Sequence, residues 1–380
     1  MAKFSVALRK IVDDSYDVEI GRNLFPVLID DLKNGLVKDI SKIVIISDSI
    51  VKDLYGNALL QCLQDNNFNA DIITFPAGEK NKTRETKALL EDKMLEKAYG
   101  RDSCIVALGG GTVTDLAGFL AGTFGRGIPF VNYATTLLAA ADASIGGKTA
   151  VDTPIATNLI GLFNQPAKVY IDLDTWATLP VREVHSGLAE TIKHACIADY
   201  SFFEYLEQNI DRIVTADRQC ILDKLVCEHI AFKNCEIKYN VITMDEKENN
   251  FRQILNLGHT VGRAVETLSN YNLLHGEAVA IGLVVQALIG KKLNFISESE
   301  LRRIINIIKW VGLPIDIPKY ISTRELVNKL YTDKKVRKGQ IRFVFQDGIG
   351  KIKQFKDNSY ALSLNEDFII DTLNEVRVQR

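Results

Sequence analysis

Short runs of β-branched residues alternate with helical patterns along the first part of the chain. The clearest runs are residues 42–47 (KIVIIS), 70–75 (ADIITF) and 103–108 (SCIVAL). Two later apolar runs, residues 130–133 and 168–172, extend the series. This alternation is typical of βαβ units. It predicts a parallel sheet flanked by helices.

Beyond residue 183 the strand signals thin out and long helical patterns, with apolar residues at a spacing of about 3.6, take over. These patterns cover residues 201–215, 218–236 and 277–293. One late run, residues 340–345 (QIRFVF), predicts a strand. We therefore expect an α/β domain over residues 1–181 and a mainly α-helical domain over residues 182–380.

Charge and composition narrow the function classes. The 380 residues include 46 Lys+Arg and 48 Asp+Glu, a net charge of −2, so no global basic field is available for nucleic acid. The longest apolar stretch, residues 278–290, is shorter than the roughly 20 residues of a membrane helix, and the first residues lack the pattern of a secretory signal. Six scattered cysteines read as reduced thiols. We expect a cytoplasmic protein that binds neither membrane nor nucleic acid.

A glycine turn follows the strand predicted at residues 103–108. Gly109, Gly110 and Gly111 precede a helical pattern, an order that lets free N–H groups meet a pyrophosphate. Thr114 stands where the dinucleotide fingerprint has its third glycine, so a tight structural turn is the alternative. Asp48, at the end of an earlier strand, is a candidate ligand for a ribose hydroxyl, and residues 78–82 end another strand.

Two histidines and one glutamate form a candidate metal set. Glu190 lies in a helical run, and His259 and His275 lie in glycine-flanked segments beside apolar helices. Two imidazoles and a carboxylate match a catalytic zinc site with an open position. His194 is four residues after Glu190, on the same helical face, and is a rival ligand. The spacing alone does not decide between them, and each His packing or capping independently is the plain alternative.

A third candidate metal set is Cys227, His229 and Cys235, but these residues lie in a helical region at spacings that zinc sites do not use.

Basic and amide side chains near these segments suit an anionic substrate. The candidate cations are Lys148, Lys193, Lys238, Arg252, Arg263, Lys334 and Lys335. Asp142, Asn158 and Asn256 are candidates for orienting substrate hydroxyls or for capping turns. Ordinary surface charge is the alternative for any of the cations.

Six segments are informative when they are taken together. They are residues 109–119 (GGGTVTDLAGF), 142–149 (DASIGGKT), 158–166 (NLIGLFNQP), 179–183 (LPVRE), 187–193 (GLAETIK) and 252–260 (RQILNLGHT). They resemble the 3-dehydroquinate synthase family, the sugar-phosphate cyclases of the shikimate pathway. The resemblance implies a Rossmann-like NAD domain, a helical metal domain, a site between them and a homodimer. It also implies transient oxidation of a ring hydroxyl by NAD, β-elimination of phosphate, re-reduction and an intramolecular aldol closure.

The resemblance assigns roles to residues of this chain. It makes Glu190, His259 and His275 the ligands of zinc or cobalt, rather than His194. NAD is expected to meet Asp48, Gly78, Glu79, Lys80, Lys82, Gly110, Gly111, Thr112, Val113, Thr114, Asp115, Thr135, Thr136, Lys148, Thr157, Thr175 and Thr178. The catalytic set is Lys148, Lys193, Lys238, Arg252, Asn256 and Arg263, and the substrate-binding set is Arg126 of the second protomer, Asp142, Asn158, Glu248, Lys334 and Lys335.

Two positions depart from the family pattern. Ala156-Thr157-Asn158 replaces the usual Gly-Lys-Asn, and Arg263 replaces a histidine expected near the phosphate. Arginine can still bind phosphate but does not shuttle a proton near neutral pH. Lys238 and Arg252 suit the carboxylate of a seven-carbon acid. We weigh a dehydroquinate synthase against a paralogous cyclase of secondary metabolism that acts on an amino-analogue, a metal-dependent NAD(P) polyol or glycerol-phosphate dehydrogenase, and a non-catalytic paralogue.

Overall fold

A computed structural model describes residues 4–6, 8, 12–154, 156–215, 219–331 and 340–378. Six strands form one parallel sheet. In sheet order they are β1 (Asp17–Gly21), β8 (Lys168–Asp172), β5 (Phe130–Ala134), β4 (Ser103–Gly109), β2 (Lys42–Asp48) and β3 (Ala70–Phe75). The five predicted runs are confirmed as strands. β1 was not predicted, because its five residues carry only a brief, mixed pattern.

Helices cover both faces of this sheet. They are α1 (Phe25–Lys33), α2 (Ser49–Val51), α3 (Asn57–Asp65), α4 (Arg84–Glu96) and α5 (Gly111–Thr123). Leu28 of α1 and Leu59 of α3 pack into one apolar cluster with the sheet, and Leu90 of α4 and Leu116 of α5 pack into another. Strands covered on both sides are apolar on both sides. This is why β2 and β4 appear in the sequence as unbroken apolar runs.

Between β5 and β8 in the sequence, the chain forms a short antiparallel hairpin that was not predicted and is separate from the main sheet. Its strands are β6 (Lys148–Val151) and β7 (Ile160–Phe163). The hairpin packs closely on α5, since a Cβ atom on Gly118 would lie 2.4 Å from Thr149 Cγ2. The hairpin therefore holds Lys148, the residue before Thr149, beside α5.

The second half of the described chain is mainly helical, as predicted. Its helices are α6 (Val181–Ala198), α7 (Tyr200–Asn209), α8 (Lys224–Met244), α9 (His259–Leu268), α10 (His275–Lys292), α11 (Glu298–Val311), α12 (Thr323–Tyr331) and α13 (Glu366–Val378). The late strand is confirmed as β9 (Arg342–Val344), which pairs with an unpredicted strand, β10 (Ala361–Ser363). No helix in the described residues is long and apolar enough to span a bilayer.

The bounds of two predicted helices were wrong. The helix predicted over 201–215 ends at Asn209 and is followed by a short 3₁₀ turn, Ile210–Arg212. The helix predicted over 218–236 begins at Lys224 and extends to Met244. Its start is fixed by Asp223, whose carboxylate accepts hydrogen bonds from the backbone N–H groups of Leu225 and Val226. A cap of this kind satisfies the first free N–H groups of a helix.

Helices α6, α9 and α10 touch backbone to backbone at glycines. A Cβ atom on Gly276 of α10 would lie 1.9 Å from the carbonyl oxygen of Ser186 in α6. A Cβ atom on Gly282 of α10 would lie 1.8 Å from the carbonyl oxygen of Gly258, the residue that precedes α9. Gly258 itself has φ of +78°, a conformation that favours glycine. The three helices therefore reach this separation only because side chains are missing at the contacts.

Replacing Gly282 with alanine should force α9 and α10 apart. Because the added methyl group would meet a backbone oxygen, which cannot rotate away, we expect a loss of about 3 kcal/mol or more in the free energy of unfolding. Chemical denaturation of the purified variant measures this loss.

Gly290→Ala in the same helix is the matched control. Its Cβ atom would meet its nearest neighbours, in Ile296 and Phe345, at 3.8 and 3.9 Å, an ordinary contact distance. Since alanine favours a helix over glycine by about 1 kcal/mol, this variant should be as stable as the natural protein or more so. Equal losses in both variants would contradict the close-contact account.

Candidate metal and substrate site

Glu190, His259 and His275 converge at the junction of the three packed helices. Their ligand atoms all lie within 4.8 Å of one another. Nε2 of His259 and Nε2 of His275 are each 3.4 Å from Oε1 of Glu190. His259 and His275 are the first residues of α9 and α10, so the glycine contacts that set the helix positions also set the spacing of the imidazoles. The predicted set is brought together.

Each imidazole is oriented by a bond from its other nitrogen. Nδ1 of His259 lies 3.1 Å from the carbonyl oxygen of Leu257, and Nδ1 of His275 lies 3.2 Å from Oε2 of Glu266. An Nδ1–H group that donates to these acceptors leaves the Nε2 lone pair directed at Glu190. This arrangement is the usual outer shell of a histidine metal ligand. Two nitrogens and one carboxylate leave further positions of a divalent cation open to substrate.

Glu190 is fully buried and charged. Neither of its oxygens has a hydrogen-bond partner of normal geometry among the described residues, and its ion pair is with Lys193, one turn further along α6. Burial raises the pKa of the Glu190 carboxyl, but the positive charge of Lys193 and the nearby imidazoles of His259 and His275 outweigh burial and lower it. Burial lowers the pKa of His275, but the carboxylates of Glu266 and Glu190 raise it to about 10 in the metal-free chain. A cation bound here would take the place of that proton.

The rival ligand His194 also lies near Glu190. Glu190, His194 and Asp142 form a second group with ligand atoms within 4.8 Å of one another. Here the Asp142 carboxylate is already paired with the Lys238 ammonium group, and Nδ1 of His194 lies 3.0 Å from Oδ1 of Asn234. The positive charges of the Lys193 and Lys238 ammonium groups also lower the pKa of His194. Because these charges would repel a cation, this second group is a poorer metal site.

The third candidate set does not come together as a metal group among the described residues. His229 packs instead against Tyr205, with ring centroids 4.1 Å apart.

A cavity of 320 Å³ lies beside the hairpin β6–β7. It brings together eight of the predicted site residues, from both halves of the chain. These are Asp115, Asp142, Lys148, Asn158, Lys238, Glu248, Arg252 and Arg263. The aromatic ring of Phe163 forms part of the wall and lies under Arg252 and Lys247, at 5.7 and 5.0 Å from its centroid.

Two lysines of the cavity, Lys148 and Lys238, are paired with carboxylates. Nζ of Lys148 lies 2.6 Å from Oε2 of Glu248, whose other oxygen accepts a hydrogen bond of 2.6 Å from Nδ2 of Asn256. Lys238 pairs with Asp142 and donates to its backbone carbonyl oxygen at 2.9 Å. Burial lowers the pKa of Lys238 and Asp142 raises it, with a lowered pKa as the net result. An anionic ligand would find cations that are already held in place by carboxylates.

The two arginines in the cavity differ in what holds them. Arg252 is buried and donates from Nη2 to the carbonyl oxygen of Gly146, at 2.8 Å, and from Nη1 to that of Glu246, at 2.5 Å. Arg263 lies one turn after His259, and its Nε and Nη1 atoms are buried without a hydrogen-bond partner among the described residues. These N–H groups can serve an oxyanion in the cavity.

Three carboxylates surround the buried ammonium group of Lys82. Glu79 forms an ion pair with it, and Oδ2 of Asp115 and Oδ2 of Asp152 lie 3.3 and 3.8 Å from Nζ. Burial raises the pKa of Asp115 to about 7, against the opposing effect of Lys82. Thr112 donates to Oε2 of Glu79 at 2.5 Å, which links this cluster to the glycine turn.

The predicted cofactor segments end at the same edge of the sheet. Gly110 precedes α5, and a Cβ atom there would lie 3.0 Å from Thr136 Cγ2, so the turn has little room for a side chain. Thr114 is buried and donates to the carbonyl oxygen of Gly111 at 3.1 Å. Oδ1 of Asp48 caps α2, accepting from the N–H groups of Ile50 and Val51.

The remaining predicted cofactor residues divide between buried and exposed positions. Thr175 is buried and donates to the carbonyl oxygen of Thr135, whereas Gly78, Lys80 and Thr178 are exposed.

Some predicted residues lie apart from the cavity. Arg126 is exposed, in the loop between α5 and β5, and does not line the cavity of its own chain. Thr157, one of the two departures, has its hydroxyl 3.4 Å from that of Thr267 on α9. Lys334 and Lys335 lie outside the described residues.

Two residues of the site were missed at the sequence level. Glu266 holds His275, and Asp152 belongs to the Lys82 cluster. Glu266 lies three residues after Arg263, one of the two departures from the family pattern, but nothing in the sequence gave it a predicted role. Asp152 has no signal of its own, because its partners lie far from it in the sequence.

Two family models match the chain. A model described as 3-dehydroquinate synthase N-terminal matches residues 72–186, and one described as 3-dehydroquinate synthase C-terminal matches residues 187–336. A 3-dehydroquinate synthase from Pelobacter propionicus is 44% identical over 344 residues, which cover 88% of this chain and 93% of the relative.

Solved structures with a similar fold carry both a nucleotide and a metal. The 2-epi-5-epi-valiolone synthase from Streptomyces hygroscopicus subsp. jinggangensis 5008, with NAD+ and Zn2+ bound, is 25% identical and has a TM-score of 0.85. The match covers 98% of this chain and 99% of that one. A 2-deoxy-scyllo-inosose synthase complexed with carbaglucose-6-phosphate, NAD+ and Co2+ is 24% identical, with a TM-score of 0.83 over 94% of this chain and 96% of that one. This second likeness concerns the fold alone.

Replacing Glu266 with glutamine should weaken metal binding. The amide keeps the size of the side chain but holds the His275 imidazole less firmly, and losses of outer-shell partners typically cost about 10–100-fold in metal affinity. Competition with a chromogenic zinc chelator measures the affinity.

Glu277→Gln is the control for this measurement. Glu277 lies two residues after His275, but its carboxylate pairs with Arg182 and caps α10. Unchanged zinc affinity in Glu266→Gln, or the same loss in both variants, would remove Glu266 from the outer shell of the site.

Proposed function

Since this chain belongs to the 3-dehydroquinate synthase family, we propose that it converts 3-deoxy-D-arabino-heptulosonate 7-phosphate to 3-dehydroquinate and phosphate. The observation that carries the proposal is the open donor set of Glu190, His259 and His275 next to a cavity lined by cations. A sugar phosphate that also bears a carboxylate has two anionic ends, and the cavity offers cations for both.

The residues fit a divalent cation and a dinucleotide. Buried oxygens of Glu190 without normal hydrogen bonds, and two Nε2 atoms directed at them, suit zinc or cobalt. The start of α5, with its crowded glycine turn, suits the pyrophosphate of NAD. When bound, NAD supplies a reversible hydride acceptor, and the cation supplies a Lewis acid for a hydroxyl that becomes a carbonyl. Zinc or cobalt and NAD are the cofactors of this enzyme.

The two parts of the chain divide these tasks. Residues 1–181 bind NAD, and residues 182–380 bind the metal and most of the substrate. This division is supported by the positions of the glycine turn after β4 and of all three metal ligands on α6, α9 and α10.

Cations at two ends of the cavity orient the substrate. Lys238 and Arg252 bind the carboxylate end, because two buried cations that line the same cavity suit an anionic group there. Lys148, Asn158 and Arg263 bind the phosphate end, with Glu248 and Asn256 fixing the ammonium group of Lys148. Lys193 forms an ion pair with Glu190 and offsets its negative charge. The donor set would therefore leave most of the positive charge of a bound metal ion available to polarise a substrate oxygen.

Proton transfer at the phosphate end does not pass through Arg263, because its guanidinium group stays protonated. Its role is to stabilise the negative charge of the leaving phosphate.

Arg126 completes the phosphate end from a second protomer. It is exposed and lies outside the cavity of its own chain, which supports a role at the site of a partner in a homodimer.

The direct test is phosphate release from 3-deoxy-D-arabino-heptulosonate 7-phosphate by the purified protein with NAD and zinc or cobalt. We expect release without net accumulation of NADH, because the hydride returns to the substrate in each cycle. Absorbance of NADH is followed in parallel, and Glu190→Ala should reduce the rate by at least about 1,000-fold, on the scale of an essential electrostatic group.

Stoichiometric formation of NADH would indicate a dehydrogenase instead. No phosphate release from a protein that binds NAD and metal would contradict the proposal, and release from the amino-analogue alone would identify a paralogous cyclase.

Arg263→Met should weaken binding of the sugar phosphate by about 10–100-fold, since hydrogen bonds to charged groups contribute about 1.5–3 kcal/mol. The affinity for NAD should stay unchanged, because Arg263 lies on α9 beside the metal set. Isothermal titration calorimetry measures both affinities. Arg212→Met, which removes an exposed ion pair with Asp223, is the control, and an unaltered substrate affinity in Arg263→Met would exclude Arg263 from the phosphate end.

A further inference from the structure

Asp152 joins the cofactor side of the site to the substrate side. It follows β6 and is buried, with 6% of its surface exposed. Its backbone N–H donates to the carbonyl oxygen of Lys82 at 2.7 Å, and it forms an isolated parallel bridge with Thr83. The backbone of Asp152 is therefore fixed against the segment that carries Glu79 and Lys82.

The side chain of Asp152 reaches the other way, to Asn158. Oδ1 of Asp152 accepts a hydrogen bond of 2.7 Å from the backbone N–H of Asn158. Asn158 has φ of +54°, a conformation that asparagine tolerates better than most residues. Its own Oδ1 atom is buried, has no hydrogen-bond partner among the described residues, and belongs to a side chain that lines the cavity. The bond from Asp152 thus fixes the backbone of a residue whose amide faces the substrate space.

Two residues between Asp152 and Asn158 are hydrogen-bonded to each other. Thr153 Oγ1 and the backbone N–H of Thr153 both lie 3.0 Å from the carbonyl oxygen of Ala156, and the N–H of Ala156 lies 3.0 Å from Thr153 Oγ1. These contacts join Thr153 to Ala156 but do not reach Asn158. Only the carboxylate of Asp152 is seen to tie the Asn158 N–H group in the described structure.

The second carboxylate oxygen of Asp152 faces Lys82. Oδ2 lies 3.8 Å from Nζ of Lys82 and has no hydrogen-bond partner among the described residues. An ion pair at this distance favours one orientation of the carboxylate, with Oδ1 toward Asn158. Burial of a charge without such a partner is costly. The ion pair with Lys82 therefore explains why residue 152 is an aspartate, although the amide of an asparagine could also accept the hydrogen bond from Asn158.

We propose that Asp152 is a positioning residue for the substrate, which sets Asn158 in the cavity through its backbone N–H group. This inference rests on the proposed function, because Asn158 is taken to contact the phosphate end. Asp152 itself does not line the cavity, so its effect on the substrate passes through Asn158.

Two variants separate the hydrogen bond from the charge. Asp152→Ala removes the acceptor, and Asp152→Asn keeps an acceptor of the same size. We expect Asp152→Ala to raise KM for the sugar phosphate by about tenfold, the equivalent of one lost hydrogen bond, with a smaller change in kcat and an unchanged Kd for NAD. Asp152→Asn should restore KM to within about threefold of the natural protein.

Hydrogen exchange gives a readout that needs neither substrate nor activity. Amides in residues 153–159 should exchange about tenfold faster in Asp152→Ala than in the natural protein, and at a near-natural rate in Asp152→Asn. If the natural protein releases no phosphate, the proposed function fails, and exchange in this segment still decides whether Asp152 fixes Asn158.

Asp199 provides a matched control. Asp199 caps the start of α7 and does not line the cavity; its carboxylate accepts a backbone hydrogen bond of 2.9 Å from Phe202 and pairs with Lys233 of α8 at 2.9 Å. Asp199→Ala should lower Tm without changing KM. Unchanged exchange and KM in Asp152→Ala would overturn the proposal, as would an Asp152→Asn variant as impaired as Asp152→Ala, or a parallel loss of NAD and substrate affinity.

Discussion

The close approach of α6, α9 and α10 is the constraint on which the rest of the site depends. Gly276 and Gly282 let α10 touch the backbones of its two neighbours, because a Cβ atom at either position would lie less than 2 Å from a carbonyl oxygen, at 1.9 and 1.8 Å. Since His259 and His275 begin their helices, this packing places both imidazoles against Glu190. Metal chemistry here is a consequence of helix packing rather than of a local loop motif.

Charge balance is the second feature of the site. Lys193 faces Glu190, Lys238 faces Asp142, Lys148 faces Glu248, and Lys82 faces three carboxylates. Each cation is thus held by a carboxylate before any ligand binds, which keeps its position fixed and reduces the cost of burying it. A substrate with a phosphate and a carboxylate adds anions at two ends of this network. The two arginines differ from these lysines: Arg252 is held by backbone carbonyl oxygens, and Arg263 has two buried nitrogen atoms that lack partners among the described residues.

The sequence was most informative where one local pattern decides the structure. Unbroken apolar runs predicted β2, β4 and β5, because strands covered on both faces need no polar residues. The four-residue strands of the hairpin β6–β7 are too short to give such a pattern. In the site, Glu190, His259 and His275 were found from residue type and glycine flanks. The choice against His194 needed the resemblance, and the roles of Glu266 and Asp152 depend on partners that only the tertiary fold supplies.

The most direct test of the account is to locate the metal by anomalous diffraction from crystals grown with zinc, with data on both sides of the zinc absorption edge. We expect one strong peak per chain, within about 2.0–2.2 Å of Nε2 of His259, Nε2 of His275 and an oxygen of Glu190. A peak bound by His194 and Asp142 instead, or zinc bound only at surface residues, would contradict the claim that the packing of α6, α9 and α10 builds the metal site.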